Sequence, residues 1–240
     1  MTDEMVIPDE AVKYILFQRT AYLLFPVAAI YRPLNTLLPF ETPIYNLAIA
    51  IESRLRAARI KALYDADMNK EYRSIRNVLP KKCSSVLDIG SGVAGIDVLI
   101  HRHYCDPSVD FYLLDKNRVE RNVFYMFRPK GAFYNSLDVA SAFLTANGLP
   151  PQHIHILEAN DNNDIDVHTK VDLVLSLLSW GFHYPVKTYV DKVHDLLSND
   201  GIVILDVRKG TDGVDVLKNK FQHVEVIFET KKQYRVAVRK

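Results

Sequence analysis

The spacing of hydrophobic and polar positions changes near residue 80. Before that point, apolar residues recur at intervals of three and four, with prolines between the runs, which predicts helices. Helices are expected over residues 9–19, 43–67 and 69–78. Thr42 is placed to cap the second, Pro43 suits its first helical position, and Pro80 stops the third. Pro26, Pro33 and Pro39 predict short pieces and turns between the first two. The most apolar stretch, residues 21–31 (AYLLFPVAAIY), is interrupted by Pro26 and closed by Arg32-Pro33. A membrane span needs about 20 apolar residues. This run therefore predicts a buried helix or an apolar cover over the rest of the chain. An interfacial membrane contact, a dimer surface and a lid over a substrate are the alternatives.

After residue 80, short apolar runs alternate with helical patterns, as in a parallel sheet with crossover helices. Strands are expected over residues 85–89, 110–114, 153–158, 171–178 and 201–207, and helices over 93–103, 136–146, 186–197 and 214–221. Residues 171–178 (VDLVLSLL) are apolar enough for burial on both faces. Asn147-Gly148 is a helix stop. Residues 223–229 and 233–238 read as a final hairpin with a tight polar turn. The connection over residues 116–135 is long and rich in aromatics (Phe124, Tyr125, Phe127, Phe133, Tyr134), a feature often tied to function. The pattern divides the chain into a helical extension, residues 1–79, and an α/β domain, residues 80–240.

Composition narrows the classes. In 240 residues, 48% are hydrophobic and 25% charged, the balance of a globular protein with a sizeable core. The net charge of +1 disfavours a globally basic nucleic-acid binder. Two cysteines, Cys83 and Cys105, with no CxxC pattern, predict neither a disulfide framework nor a zinc site. The opening MTDEMVIPDE is acidic where a signal peptide is basic, so a cytoplasmic location is expected. One basic stretch stands out, with Arg54, Arg56, Arg59, Lys61, Lys70, Arg73, Arg76, Lys81 and Lys82 against Asp65, Asp67 and Glu71. It reads as a solvated helix face; an anionic partner such as a nucleotide-sugar, RNA or a membrane surface is the functional alternative.

The chemistry concentrates in Val86-Leu87-Asp88-Ile89-Gly90-Ser91-Gly92-Val93-Ala94-Gly95, a strand running through a glycine-rich turn into a helix. Glycines let a ligand approach the backbone closely. Asp115, at the end of the second strand, is placed to accept hydrogen bonds from a ribose diol. Gly90-x-Gly92-x-x-Gly95 also matches the dinucleotide fingerprint, with Asp115 at the distance suited to NAD. Asp88 favours another ligand: two residues before the first glycine, it can meet an ammonium group but would repel a pyrophosphate. The preceding helical extension, and an ending on a hairpin with no room for a substrate domain, point the same way.

These residues resemble a class I S-adenosylmethionine-dependent methyltransferase over about residues 80–240. The matching pieces are LDIGSGVAG, the acid in FYLLDKN, the strand end in HILEAND, the VDLVLSLLSW run and the hairpin. Ala94 followed by Gly95 departs mildly from the family's GxGxG. The resemblance implies a Rossmann-like seven-stranded sheet of order 3-2-1-4-5-7-6 with strand 7 antiparallel. It implies that Asp88 and the backbone of Gly90 to Gly92 face the methionine part of the cofactor, that Asp115 holds the ribose, and that Asn160 or Asp161 meets the adenine. Ser91, Lys116 and Ser179 complete the expected cofactor contacts.

The acceptor is expected beyond the ends of strands 4 and 5, where Ser179-Trp180-Gly181-Phe182-His183-Tyr184-Pro185 lies. His183 is the candidate catalytic base, with a packing role as its alternative. Trp180, Phe182 and Tyr184 suit either ring stacking or core packing. Strand 4 lacks the Asp/Asn-Pro-Pro-Tyr/Phe of amino methylation, the Pro-Cys of cytosine C5 enzymes, the magnesium-binding acids of the catechol type and the aspartate of the ribose methyltransferases. FYNSL and LLSWGFHYP are similar to methyltransferases of sugars or other small polar acceptors. The expectation is therefore transfer to an oxygen of a small or sugar-like acceptor, with no metal. Its rivals are an NAD-dependent oxidoreductase, a catalytically inactive methyltransferase-like binding protein and RNA methylation.

Overall fold

The computed structural model describes residues 4–24, 43–117 and 135–240. Thr42, Pro26, Pro33, Pro39, most of the apolar run and the aromatics between 124 and 134 lie outside the described residues, and so do the expectations placed on them.

The first helices are α1 (Asp9–Gln18), α2 (Pro43–Leu55) and α3 (Ala57–Ile75). The spacing predicts one helix to residue 67 and another from 69; the break lies instead at Arg56 (φ −121°, ψ 18°). No glycine or proline stands between residues 56 and 78, so nothing stops α3 at residue 68. The Arg56 side chain holds the corner, donating to the Tyr22 carbonyl at 3.0 Å and pairing with buried Glu52. Helical main-chain bonds run on across it, Arg56 N–H to Glu52 O and Ile60 N–H to Arg56 O, each 2.9 Å. Lys61 pairs with Asp9, so part of the basic stretch is used internally; Arg54, Arg59, Lys70, Arg73, Arg76, Lys81 and Lys82 are exposed.

The α/β part comprises β1 (Ser85–Ile89), α4 (Gly95–Tyr104), β2 (Asp110–Asp115), α5 (Leu137–Ala146), β3 (Ile154–Glu158), β4 (Val171–Ser176), α6 (Val190–Leu196), β5 (Leu197–Arg208), α7 (Gly213–Lys220), β6 (His223–Glu229) and β7 (Gln233–Arg239). They form one seven-stranded sheet of order β3-β2-β1-β4-β5-β7-β6. β7 runs antiparallel to both β5 and β6, as expected. Two boundaries differ from the sequence reading by more than two residues. Tyr189, packed edge-on against Trp180 at 6.2 Å, splits the expected helix 186–197 into a 3₁₀ turn and the short α6. β5 begins at Leu197 rather than Gly201, with a register shift against β4.

Both faces of the sheet are covered. On one, Val86, Phe111, Leu113, Leu173 and Ile204 pack with α4, α5 and the inner residues Ala11, Ile15, Ile60 and Ile75 of the N-terminal helices. On the other, Leu87, Val174, Val203, Leu205 and Val236 pack with Trp180, Val193 and Leu217. The N-terminal helices thus share a core with the sheet. No helix among the described residues is long and apolar enough to cross a membrane.

A buried ionic cluster ties α3 to this sheet. Arg235 on β7 is 1% exposed; its Nε and one terminal nitrogen donate to the two oxygens of Asp206 on β5, both at 2.8 Å, and Asp206 is fully buried. The other terminal nitrogen donates to Glu71 and to Ser74 on α3, both at 2.6 Å. Removing one partner of such a pair strands a charge in low dielectric and costs about 3–5 kcal/mol. Arg235→Ala is expected to lower unfolding stability by that amount in urea titration. The double variant Asp206→Leu with Arg235→Met is expected to regain part of it.

Candidate active site

The glycine turn forms where β1 ends, at the carboxyl edge of the sheet and between β2 and β4. In open α/β sheets ligands bind at that edge, where the strand order reverses. Gly90 (φ +81°) and Gly92 (φ +56°) occupy the left-handed region that favours glycine. The Gly90 N–H continues the β2 pairing to the Leu114 carbonyl at 2.7 Å. The Gly92 N–H donates to Asp115 Oδ2 at 2.8 Å, so the turn and the β2 acid, expected separately to serve one ligand, are joined directly. Asp115 also accepts from Lys116 N–H at 2.7 Å and from Asn135 Nδ2 at 3.0 Å. Burial raises its pKa to about 6 against these three donors.

Side chains from three other segments rest on the glycines. A Cβ on Gly90 would collide with the Ser179 side chain, and one on Gly95 with the Tyr64 hydroxyl. A Cβ on Gly92 would lie 2.8 Å from Gln18 Oε1. Ser179 follows β4, Tyr64 lies on α3, and Gln18 is the last residue of α1. Two of these contacts therefore come from the N-terminal helices.

Beneath the turn lie two carboxyl groups. Asp88 on β1 is 3% exposed and Asp97 in the first turn of α4 is fully buried. Burial, then the neighbouring charge of Asp97, pushes Asp88 well above the ordinary carboxylate range, and burial raises Asp97 to about 6. Both shifts disfavour the fully ionised pair. Both oxygens of Asp97 lack a hydrogen-bond partner among the described residues, as do the buried Ser91 Oγ and Asn135 Oδ1. Unpaired buried polar atoms gathered around one turn mark a place that a polar ligand completes.

The loop after β4 is held by serines. Ser176 Oγ donates to the Ile89 carbonyl at 2.7 Å and accepts from Trp180 N–H at 2.8 Å. The N–H groups of Phe182, His183 and Tyr184 converge on the Ser179 carbonyl at 3.1, 2.7 and 3.2 Å. His183, the candidate base, thus belongs to the tight turn whose first residue touches Gly90. Its side chain stands at the surface with one side covered by Phe182, edge-on at 5.1 Å. That partial burial, then the charge of Arg208, lowers its pKa, so the ring is neutral at pH 7. Trp180 is fully buried and donates Nε1–H to the Val186 carbonyl at 2.8 Å; it is a core residue, not a stacking surface. Phe182 is half-buried, with the Arg208 guanidinium 5.2 Å from its ring centre.

The loop after β3 holds Asn160 and Asp161. Asn160 Oδ1 accepts from Asn162 and Asp164 N–H at 3.0 and 3.1 Å, and its Nδ2 donates to Asp164 at 3.3 Å. Its side chain shapes its own loop. Asp161 is fully exposed, 3.7 Å from Lys116 Nζ. Among the described residues, no group of three His, Cys, Asp or Glu is arranged to hold a metal ion.

No protein-family model matches this sequence, and neither does any curated protein. Solved structures do match. A candidate O-methyltransferase from Nostoc punctiforme PCC 73102 superposes with TM-score 0.50 at 16% identity, over 72% of this chain and 56% of that one. An O-methyltransferase family protein from Burkholderia thailandensis gives 0.50 at 12%, over 78% and 62%. This chain has the class I methyltransferase fold. It spans less than two thirds of the length of either of these two structures.

Within the methyltransferase fold, Asp88, Gly90, Ser91, Gly92, Asp115 and Ser179 gather at one point of the ligand edge. Gln18, Tyr64, Asp97 and Asn135 join them unannounced by the sequence reading. Asp97 carried a signal, as a second acid just inside the helix that follows the glycines, and Asn135 lies in the FYNSL segment, which was singled out for the acceptor and not for this contact. Gln18 and Tyr64 arrive from parts of the chain with no motif.

The Asp97 shift has a consequence for stability. Its folded pKa of about 6 lies above the ordinary 3.8, so the folded chain binds more protons than the unfolded one between these values. Stability therefore falls as pH rises through that window. In thermal melts, the Tm difference between Asp97→Asn and wild type is expected to move in favour of the variant from pH 4 to pH 7. A pH-independent difference would remove Asp97 as the source.

Proposed function

We propose that this chain is an S-adenosylmethionine-dependent methyltransferase that acts on an oxygen of a small, polar, sugar-like acceptor. The observation that carries the reading is the Gly92 to Asp115 bond, which fixes a ribose-type acid against a glycine turn whose floor is acidic. The bound cofactor supplies an activated methyl group on a sulfonium. Asp88 and Asp97 offer negative charge to the cation at its amino-acid end. Asp115 accepts from the ribose, Ser91 and Asn135 bring unpaired polar atoms to the same place, and Lys116, Asn160 and Asp161 stand on the side assigned to adenine. Ser179 packs against Gly90 and narrows the approach from β4. Neutral His183, on the same turn as Ser179, takes the proton of the acceptor hydroxyl. The remaining work is alignment, which supplies much of the rate of an in-line displacement.

The same observations weigh against the dinucleotide reading, because a pyrophosphate beside the turn would face the charge of the Asp88–Asp97 pair. An oxygen acceptor is favoured over a nucleobase nitrogen because the loop after β4 brings a histidine and no Asp/Asn-Pro-Pro-Tyr/Phe segment.

Parallel calorimetric titrations with S-adenosylmethionine, S-adenosylhomocysteine and NAD test the cofactor. Micromolar binding of the first two and none of NAD is expected; binding of NAD alone would overturn the reading. Asp115→Ala is expected to weaken S-adenosylmethionine binding by about 1–3 kcal/mol, the cost of unpaired buried partners.

Once screening, sugars first, has found an acceptor, His183→Ala is expected to lower kcat while leaving cofactor affinity nearly unchanged. Wild-type turnover in that variant would reduce His183 to packing.

A further inference from the structure

We infer that the N-terminal helices form part of the cofactor site, with Gln18 and Arg19 at the end of α1 receiving the α-carboxylate of the cofactor's amino-acid end. The inference rests on the proposed cofactor.

The amino-acid end of S-adenosylmethionine is a zwitterion, so a site that binds it must answer two opposite charges a few bonds apart. The Asp88–Asp97 pair answers the ammonium. It cannot answer the carboxylate, which needs donors or a cation. Gln18 brings an amide to the same turn, and Arg19 brings a guanidinium to Tyr64, which rests on it. The Gln18 amide stands over Gly92, with Oε1 2.8 Å and Nε2 3.3 Å from where a Cβ would sit. The Arg19 guanidinium lies 5.9 Å from the centre of the Tyr64 ring, and Tyr64 rests on Gly95. Tyr64 feels the positive charge of Arg19 and the negative charges of Asp97 and Asp88. A cation and an acidic pair thus both act on Tyr64 beside the turn, the polarity that an amino-acid zwitterion complements. Guanidinium carries five N–H donors; Arg19 reaches Asp67 through one nitrogen at a long 3.4 Å, and Asp67 also accepts the Tyr22 hydroxyl.

The placement is rigid. Ala11, Val12, Ile15 and Leu16 of α1 are fully buried, and the Arg19 N–H closes the helix on the Ile15 carbonyl at 2.7 Å. A side chain carried on a packed helix holds a ligand group more firmly than one on a loop. Gln18 itself keeps solvent access, so replacing it leaves the core untouched.

The test compares two ligands on the full chain by calorimetry. S-adenosylhomocysteine carries the amino-acid end; 5′-methylthioadenosine keeps the adenine, ribose and thioether and lacks it. Gln18→Ala and, as a second variant, Arg19→Gln are each expected to weaken S-adenosylhomocysteine binding on the order of tenfold, the scale of a hydrogen bond to a charged group. Binding of methylthioadenosine should stay within about twofold on the same scale. Gln18→Glu should weaken S-adenosylhomocysteine further than Gln18→Ala, because it sets carboxylate against carboxylate. Equal losses for both ligands, no loss for either, or tighter S-adenosylhomocysteine binding by Gln18→Glu would overturn the inference while leaving the cofactor reading standing. A wild-type chain that binds neither nucleoside would overturn the cofactor reading and this inference with it.

Discussion

The absence of a side chain at Gly90, Gly92 and Gly95 is the constraint on which the rest of the site depends. Ser179, Gln18 and Tyr64 fill the space that a Cβ would take at these positions. The turn is thus the point where β1, the loop after β4, α1 and α3 meet. Gly90 and Gly92 are fixed a second time by positive φ, so crowding and backbone conformation demand the same residue. The consequence reaches beyond the turn. An N-terminal extension that could have been a separate cover is bound into the ligand edge of the sheet through two of the three contacts.

Two buried acids on the same sheet show how differently a fold can treat a carboxylate. Asp206 is met by both forks of the Arg235 guanidinium. Asp97 is met by the Asp88 carboxyl and not by a cation among the described residues. The first arrangement is complete and serves packing between β5, β7 and α3. The second is incomplete, and an incomplete buried charge persists where something outside the chain completes it. This contrast separates structure from site more sharply than burial alone.

Much of the fold was legible because parallel strands buried on both faces read as plain apolar runs; VDLVLS and the SVLDI before the glycines could hardly be anything else. The glycine turn and Asp115 were legible because both lie on one contiguous strand–turn–helix–strand unit. Errors arose where local sequence competes with distant partners. The corner at Arg56 is held by the carbonyl of Tyr22, which no local pattern reveals. Trp180 sits among aromatics that suit stacking, yet its indole turns inward to the Val186 carbonyl. Asn160 spends its amide on its own loop. Gln18 and Tyr64 reach the turn only through tertiary packing, and nothing in their neighbouring residues marks them.

The Arg235 cluster also orders events in time. Glu71 and Arg235 are separated by 164 positions. A ribosome adding about 5–20 residues per second takes on the order of ten to thirty seconds to bridge that gap. Through that interval α3 can already lay Ile60, Tyr64 and Met68 against α4, whose residues emerge soon after it. Its Glu71 must stay hydrated until the last strand of the sheet brings a guanidinium to it. The helix that presses Tyr64 onto Gly95 is therefore made long before the strand whose guanidinium locks it to the sheet.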